Sequence, residues 1–362
     1  METLSTKETL ETPLAALHRS AGAKMGVWFG CALPDYFGDA AAEYRNARES
    51  VALIDKNYRA YLSFMGPDRV RYLNAILTNN IKDLVTGKGI VSLLLNPQGH
   101  ILAEIETYAF ADRLLCVSYA MIRERLIEWL DKYIIMDDVT QTDETARYGS
   151  LALEGPKVAA LIQEICGPDV TKYEELSSHR GAVGSIPCLI VKRSPGKIPG
   201  AEFVVEREKL AELWQILSDA ARWHDGGPMG YTALSALRLA QGVPWFGYDF
   251  GEKQIPHEAG LQDSHISYTK GCYTGQEIVE RVRSRGQVNR QRVELVFSGD
   301  AVPQAGTPLT MGGNEVGYVT RAARIPDPPR TLGMGYVRKE GSAVGSVLQR
   351  AGGTATVTQS PT

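Results

Sequence analysis

The stretch Lys270-Gly271-Cys272-Tyr273-Thr274-Gly275-Gln276-Glu277 sets one cysteine between two glycines, with a lysine before it and an amide and an acid after it. Glycine opens the backbone to positive φ and to close approach by a neighbour. A nearby cation such as Lys270 or Arg281 favours the thiolate of a cysteine. The octapeptide therefore reads as the presentation of a reactive thiol, with Cys272 and Lys270 as the candidate catalytic pair. Gly271, Tyr273, Gly275, Gln276 and Glu277 are its frame. The competing reading is a small buried hydrophobe, the commoner role of an isolated cysteine.

Downstream the chain runs from Arg281 to Arg292 without an acid until Glu294. Arg281, Arg283 and Arg285 alternate with Val282 and Ser284, and this period of two predicts an extended segment with three guanidinium groups on one face. Such a face suits a polyanion: a polycarboxylate tail, a nucleotide or an RNA backbone. A solvated edge strand whose charges discourage aggregation is the alternative.

The octapeptide, followed by Arg285-Gly286 and Arg290, resembles the signature of the YgfZ family. These are folate-binding proteins of iron–sulfur cluster maintenance, related in fold to the T-protein (aminomethyltransferase) of the glycine cleavage system. The likeness continues through Leu53-Ile54-Asp55, Tyr61 to Pro67, Leu77-Thr78-Asn79-Asn80-Ile81, Asn96-Pro97-Gln98-Gly99-His100, Leu153-Glu154-Gly155-Pro156, Arg238 to Gly242, Ile255 to Leu261 and Gly317-Tyr318-Val319-Thr320. It spans roughly residues 20–350.

The resemblance implies an α+β, three-lobed T-protein-like architecture with two mixed α/β sheet lobes and a C-terminal β-barrel. It divides the chain into a discontinuous folate-binding lobe at 20–60 plus 148–285, an inserted α+β lobe at 61–147 and a barrel at 286–356. It also implies tetrahydrofolate, a reduced folate, as the cofactor, with Glu104, Tyr119, Glu202, Arg238 and Tyr58 as candidate contacts. Two departures stand against ordinary glycine-cleavage chemistry. Where aminomethyltransferases carry paired aspartates this chain has Ala103 and Glu104, and an alanine transfers no proton. Ala240 stands where T-proteins have a glutamate.

The elements read from periodicity agree with this plan. Pro67 to Leu77, Ile122 to Ile135, Lys157 to Ile165, Lys209 to Trp223 and Tyr231 to Leu239 have helical spacing. Ile90 to Leu95, Ile101 to Phe110, Leu114 to Tyr119, Cys188 to Val191 and Ala201 to Val205 are β-like. Val293 to Phe297, Val316 to Thr320 and Leu332 to Val337 form a barrel or sandwich interrupted by the rigid loop Pro326-Asp327-Pro328-Pro329. The first ~15 residues and the tail after Thr354 read as disordered.

The formal net charge of −3 gives no global pull toward nucleic acid or an anionic membrane. No secretory signal or membrane helix is evident, and five widely spaced cysteines fit a reducing cytoplasm better than a disulfide framework. No metal site is expected, since His257 and His265 lack further ligands at defined spacing. The sequence thus points to a tetrahydrofolate-binding accessory protein for assembly or repair of iron–sulfur proteins. Its partners would be reduced folate, iron–sulfur proteins or their assembly factors and, indirectly, tRNA. Two alternatives stand beside it: a tetrahydrofolate-dependent aminomethyltransferase or demethylase that uses Glu104, and a tRNA-binding or tRNA-modification-related protein.

Overall fold

Leu151 and Leu153 alternate with Ser150 and Ala152 along Tyr148–Glu154, and this strand lies within a six-stranded sheet. The computed structural model describes residues 9–167, 170–286, 288–299 and 301–360, without the side chains of Thr171 and Arg285. The chain divides into two units. One comprises Met1–Arg69, Leu84–Ile90 and Glu106–Leu234, the other Val70–Asp83, Val91–Ile105 and Ser235–Thr362.

In the first unit a six-stranded sheet runs in the order Ser178–Val183, Ile186–Lys192, Gly200–Glu206, Tyr148–Glu154, Ala52–Asp55, Gly227–Pro228. Helices Val158–Cys166 and Leu210–Trp223 cover one face. They bury Leu161 and Ile162 from the first, and Leu213, Trp214 and Leu217 from the second, against Leu53, Leu151, Leu153, Phe203 and Val205. The spacing of Leu213, Trp214 and Leu217 is that of one helical stripe. Truncating Leu213 to alanine removes a fully buried side chain and costs about 2–5 kcal/mol. Register opposes Glu202 to Ala152 in this sheet.

In a second sheet Arg59–Met65 lies between Leu114–Tyr119 and Thr140–Asp143. Arg59 faces Tyr119 across the pairing, and Glu106 faces Val117.

The second unit contains most of the helix Arg69–Ile76, the turn Asn96 to His100 and a closed barrel. Ring order in the barrel is Arg290–Phe297, Pro329–Arg338, Asn314–Pro326, Pro308–Met311, Val347–Arg350, Gly353–Gln359. Val293, Leu295 and Phe297 fill its interior by strand alternation. The chain is therefore α+β, with mixed sheets and a closed six-stranded barrel.

Several expectations need correction. The tail after Thr354 is not disordered through its length, because Gly353–Gln359 pairs with both Arg290–Phe297 and Val347–Arg350 and closes the ring. Near the N-terminus residues 1–8 lie outside the described ones, but Leu10–Glu11 is a strand and Ala15–Ser20 a helix. The segment Pro326 to Pro329 is less a loop than a hairpin tip, with the two strands reaching Pro326 and Pro329 themselves. The largest correction concerns the arginine run. Arg281, Arg283 and Arg285 lie on the helix Gln276–Arg285, not on a strand, so Arg283 is turned some 200° around the axis from Arg281 and the period of two no longer lines the three up on one face.

Candidate functional site

The octapeptide is fixed to the second unit at three points. Gly275 has φ +81°, and a Cβ there would come within 2.7 Å of the Asn96 carbonyl oxygen and 3.1 Å of the Leu95 Cβ. Gly99, at φ +76°, meets Ile278 of the motif helix in the same way, at 2.9 Å. Glycine is required at both places by conformation and by space. Gly271 needs neither, having negative φ and open surroundings.

Lys270 supplies the third point. Its ammonium donates to the carbonyls of Asn74, Leu77 and Asn79 at 2.6, 2.5 and 2.9 Å, at the C-terminal end of the helix Arg69–Ile76. A lysine there satisfies orphan carbonyls and meets the negative end of the helix dipole. All three of its donors are used in this way. Its position thus assigns Lys270 an anchoring role, in place of the expected activation of the thiol. Burial pushes its amine down to about 8.

Tyr273 is buried beneath Lys270, with the amine 5.3 Å from the ring centroid. Gln276 accepts the Tyr273 N–H at 3.3 Å, and Glu277 is exposed in the first turn of the helix. Cys272 is exposed. Arg283 stacks 4.3 Å over the Tyr268 ring and pairs with Glu280, while Arg281 is exposed. The Arg285 side chain lies outside the described residues.

The turn from Asn96 to His100 leads into the strand Ile101–Ala109. The Asn96 side chain accepts the His100 N–H at 2.9 Å, and its carbonyl accepts that of Gly99. On the strand Ala103 is fully buried and lies on the face opposite Glu104. Glu104 accepts a hydrogen bond from His265 Nε2 at 3.0 Å. Ser264 Oγ lies 2.7 Å from His265 Nδ1. In the same unit Arg238 is 2% exposed, not a surface residue, and donates to the Gln241 side chain at 3.3 Å.

The first unit holds a buried charge network. Arg59 donates to Glu202 at 2.8 Å and pairs with Glu106 at 3.3 Å. Arg193 reaches Glu106 at 2.9 Å, the Tyr108 hydroxyl donates to Glu106 at 2.7 Å, and Ser150 donates to Glu202 at 2.8 Å. Burial penalises the Glu106 charge, but Arg59 and Arg193 outweigh it and hold the carboxyl well below the usual range. Beside the network the Tyr58 ring stacks on Phe29 at 4.3 Å and on Tyr119 at 5.7 Å, with Tyr231 edge-on at 6.0 Å. Arg59 lies 5.9 Å from the Tyr58 ring centroid, and its buried Nε has no hydrogen-bond partner.

Of the expected folate contacts, Tyr58, Tyr119 and Glu202 therefore belong to one unit, and Glu104 and Arg238 to the other. Arg193, Phe29, Tyr231, Ser264 and His265 were not among the candidates. Arg193 and the two rings carry no local motif that would have marked them. Among the described residues no group of three or more His, Cys, Asp and Glu side chains is gathered as for a metal, and no helix is long and apolar enough to cross a membrane.

Residues 14–265 match the family model of the GCVT N-terminal domain, and residues 290–362 that of the glycine cleavage T-protein C-terminal barrel domain. The chain belongs to the glycine cleavage T-protein family. Aminomethyltransferases of Streptomyces avermitilis and Rubrobacter xylanophilus are both 27% identical to it, over 95% and 94% of this chain and 93% and 90% of theirs. The crystal structure of glycine cleavage system aminomethyltransferase T from Bartonella henselae shares the T-protein fold, with a TM-score of 0.88, 22% identity and 98% of each chain covered. These likenesses identify the T-protein family and do not single out a YgfZ branch within it.

Proposed function

We propose that this chain binds a reduced folate, tetrahydrofolate, and catalyses transfer of a one-carbon unit of the aminomethyl type. The observation that carries the reading is that the T-protein match runs through both the sheet-bearing region and the barrel, with relatives named aminomethyltransferase aligned over nearly their whole length. The residues in the first unit suit such a group. Phe29, Tyr58 and Tyr119 gather aromatic surface of the kind a flat heterocycle packs against, and the orphaned Arg59 Nε is a buried donor without a partner of its own. When bound, tetrahydrofolate supplies the nitrogen that takes up the one-carbon unit. Within the second unit Glu104, half-buried and tied to His265, offers a carboxylate oxygen, Oε1, that holds or releases a proton.

Calorimetric titration with tetrahydrofolate, followed by assay of one-carbon transfer from methylamine donors, tests the reading. Saturable binding and a turnover that Glu104→Gln lowers by about 10²-fold or more are expected. Absence of binding would sink it.

A second reading is favoured by the exposure of Cys272 in a loop fastened by Lys270, Gly275 and Gly99. In it the protein serves iron–sulfur enzymes as a YgfZ-type accessory, and the thiol is the functional group. Iron–sulfur enzyme activity in cells carrying only Cys272→Ala decides that point, full activity counting against it. The tRNA-binding reading no longer has an extended arginine strand to rest on, because Arg281 and Arg283 sit on a helix and point away from each other.

A further inference from the structure

Glu104, His265 and Ser264 form an unbroken line of hydrogen bonds in the second unit, from Glu104 Oε1 to His265 Nε2 at 3.0 Å and from His265 Nδ1 to Ser264 Oγ at 2.7 Å. The middle member is buried, with 8% of its surface exposed, whereas Ser264 is exposed to solvent. An ionised carboxylate only accepts hydrogen bonds, so Nε2 carries the ring proton and Nδ1 of the neutral ring accepts from the Ser264 hydroxyl. The alternative acceptor for that hydroxyl, the Leu261 carbonyl, is farther away at 3.5 Å.

The backbone holds the imidazole in place. The His265 carbonyl accepts from Thr78 Oγ1 at 2.7 Å, and its N–H donates to the Leu261 carbonyl at 3.0 Å. Both ring nitrogens are engaged, one toward the carboxylate and one toward the surface. A packing histidine needs no such double engagement, and a hydroxyl serving only as a cap has no reason to be in line with a carboxylate.

We propose that Ser264 and His265 are a proton relay that reloads Glu104 from bulk water. The proposal rests on the reading of Glu104 as the proton-handling group. In one passage the Ser264 hydroxyl proton moves to His265 Nδ1, the Nε2 proton moves to Glu104 Oε1, and Ser264 Oγ takes a proton from a solvent water, whose hydroxide leaves to the bulk. One proton has entered, Glu104 is neutral, and the ring has changed tautomer. Exchange through the imidazolium restores the first tautomer. His265 and Ser264 are positioning and relay residues and do not touch the reacting atoms.

The test compares His265→Ala and Ser264→Ala with Glu104→Gln in the one-carbon transfer assay, with and without added imidazole. The His265→Ala rate should fall by about 10²-fold, the ordinary reach of a proton-transfer group, and imidazole should restore much of it while leaving the wild type unchanged. Ser264→Ala should lose less, because a water can take the place of the hydroxyl. An undiminished His265→Ala rate, or a loss that imidazole does not relieve, overturns the relay. An undiminished Glu104→Gln rate overturns instead the reading on which it rests. Nitrogen-15 NMR of the wild-type imidazole needs no turnover: the Nε2–H tautomer at neutral pH is expected, and the Nδ1–H tautomer would overturn the relay.

Discussion

Glu104 and Glu106 are two residues apart on the same face of one strand, yet their surroundings differ in kind. Glu106 is enclosed by Arg59, Arg193 and the Tyr108 hydroxyl, and two guanidinium charges keep it ionised. Glu104 has a histidine at 3.0 Å and keeps 18% of its side-chain surface open. The first arrangement fixes a charge and builds structure. The second leaves a partly open carboxylate beside an imidazole, a ring with two nitrogens able to carry a proton. Strand alternation presents both acids alike, and it is the neighbours that divide the labour.

The strongest way to break this contrast is to remove a buried partner from the fixed side. Arg59→Met strips Glu106 and Glu202 of a shared cation and should cost about 3–5 kcal/mol, measured as a lowered urea midpoint, because an uncompensated buried charge remains. Glu104→Gln, by contrast, should change stability by about 1 kcal/mol or less while abolishing most turnover. Equal destabilisation by the two variants would erase the distinction.

Acid sharpens it further. The Glu106 pKa is depressed in the folded state, so its stabilisation is complete above the unfolded value of about 4.3 and is lost as pH falls below that value. Glu106→Gln should therefore flatten the acid limb of the stability curve below about pH 4.5, in a series of chemical denaturations.

At the alkaline end Lys270 supplies a smaller effect with the same sign of slope. Its folded pKa of about 8 lies below the ordinary 10.5, so the unfolded chain binds more protons between those values and stability rises with pH across that window. Lys270→Met should remove that slope and loosen the motif, seen as faster amide exchange at Tyr273 and Gln276. The smallest change is expected from Cys272→Ala, within about 0.5 kcal/mol of the parent, since an exposed side chain is being shortened.

Much of the fold was legible because burial follows period. Leu213, Trp214 and Leu217 announce a helix, and Val293, Leu295 and Phe297 a strand, with no further information. The arginine run failed because Arg281, Arg283 and Arg285 drew attention to a period of two, while Ile278, Val279 and Val282 kept helical spacing beneath them. Gly275 and Gly286, both at positive φ, bracket the helix and were the better signal. The candidate site was legible only in part. Glu104, Glu202 and Tyr58 stand out by resemblance, but Arg193 and His265 meet their acids through strand register and loop placement, over separations that no local pattern encodes.

The ring order of the barrel has a kinetic consequence. Its first strand, Arg290–Phe297, and its last, Gly353–Gln359, are neighbours, so the seam forms only after everything between them has been made and ordered. Until then both carry open edges able to pair with other chains. A nascent or clipped chain ending before Gly353 would carry that exposed seam permanently, which makes the final strand a checkpoint between closed barrel and edge-to-edge aggregate.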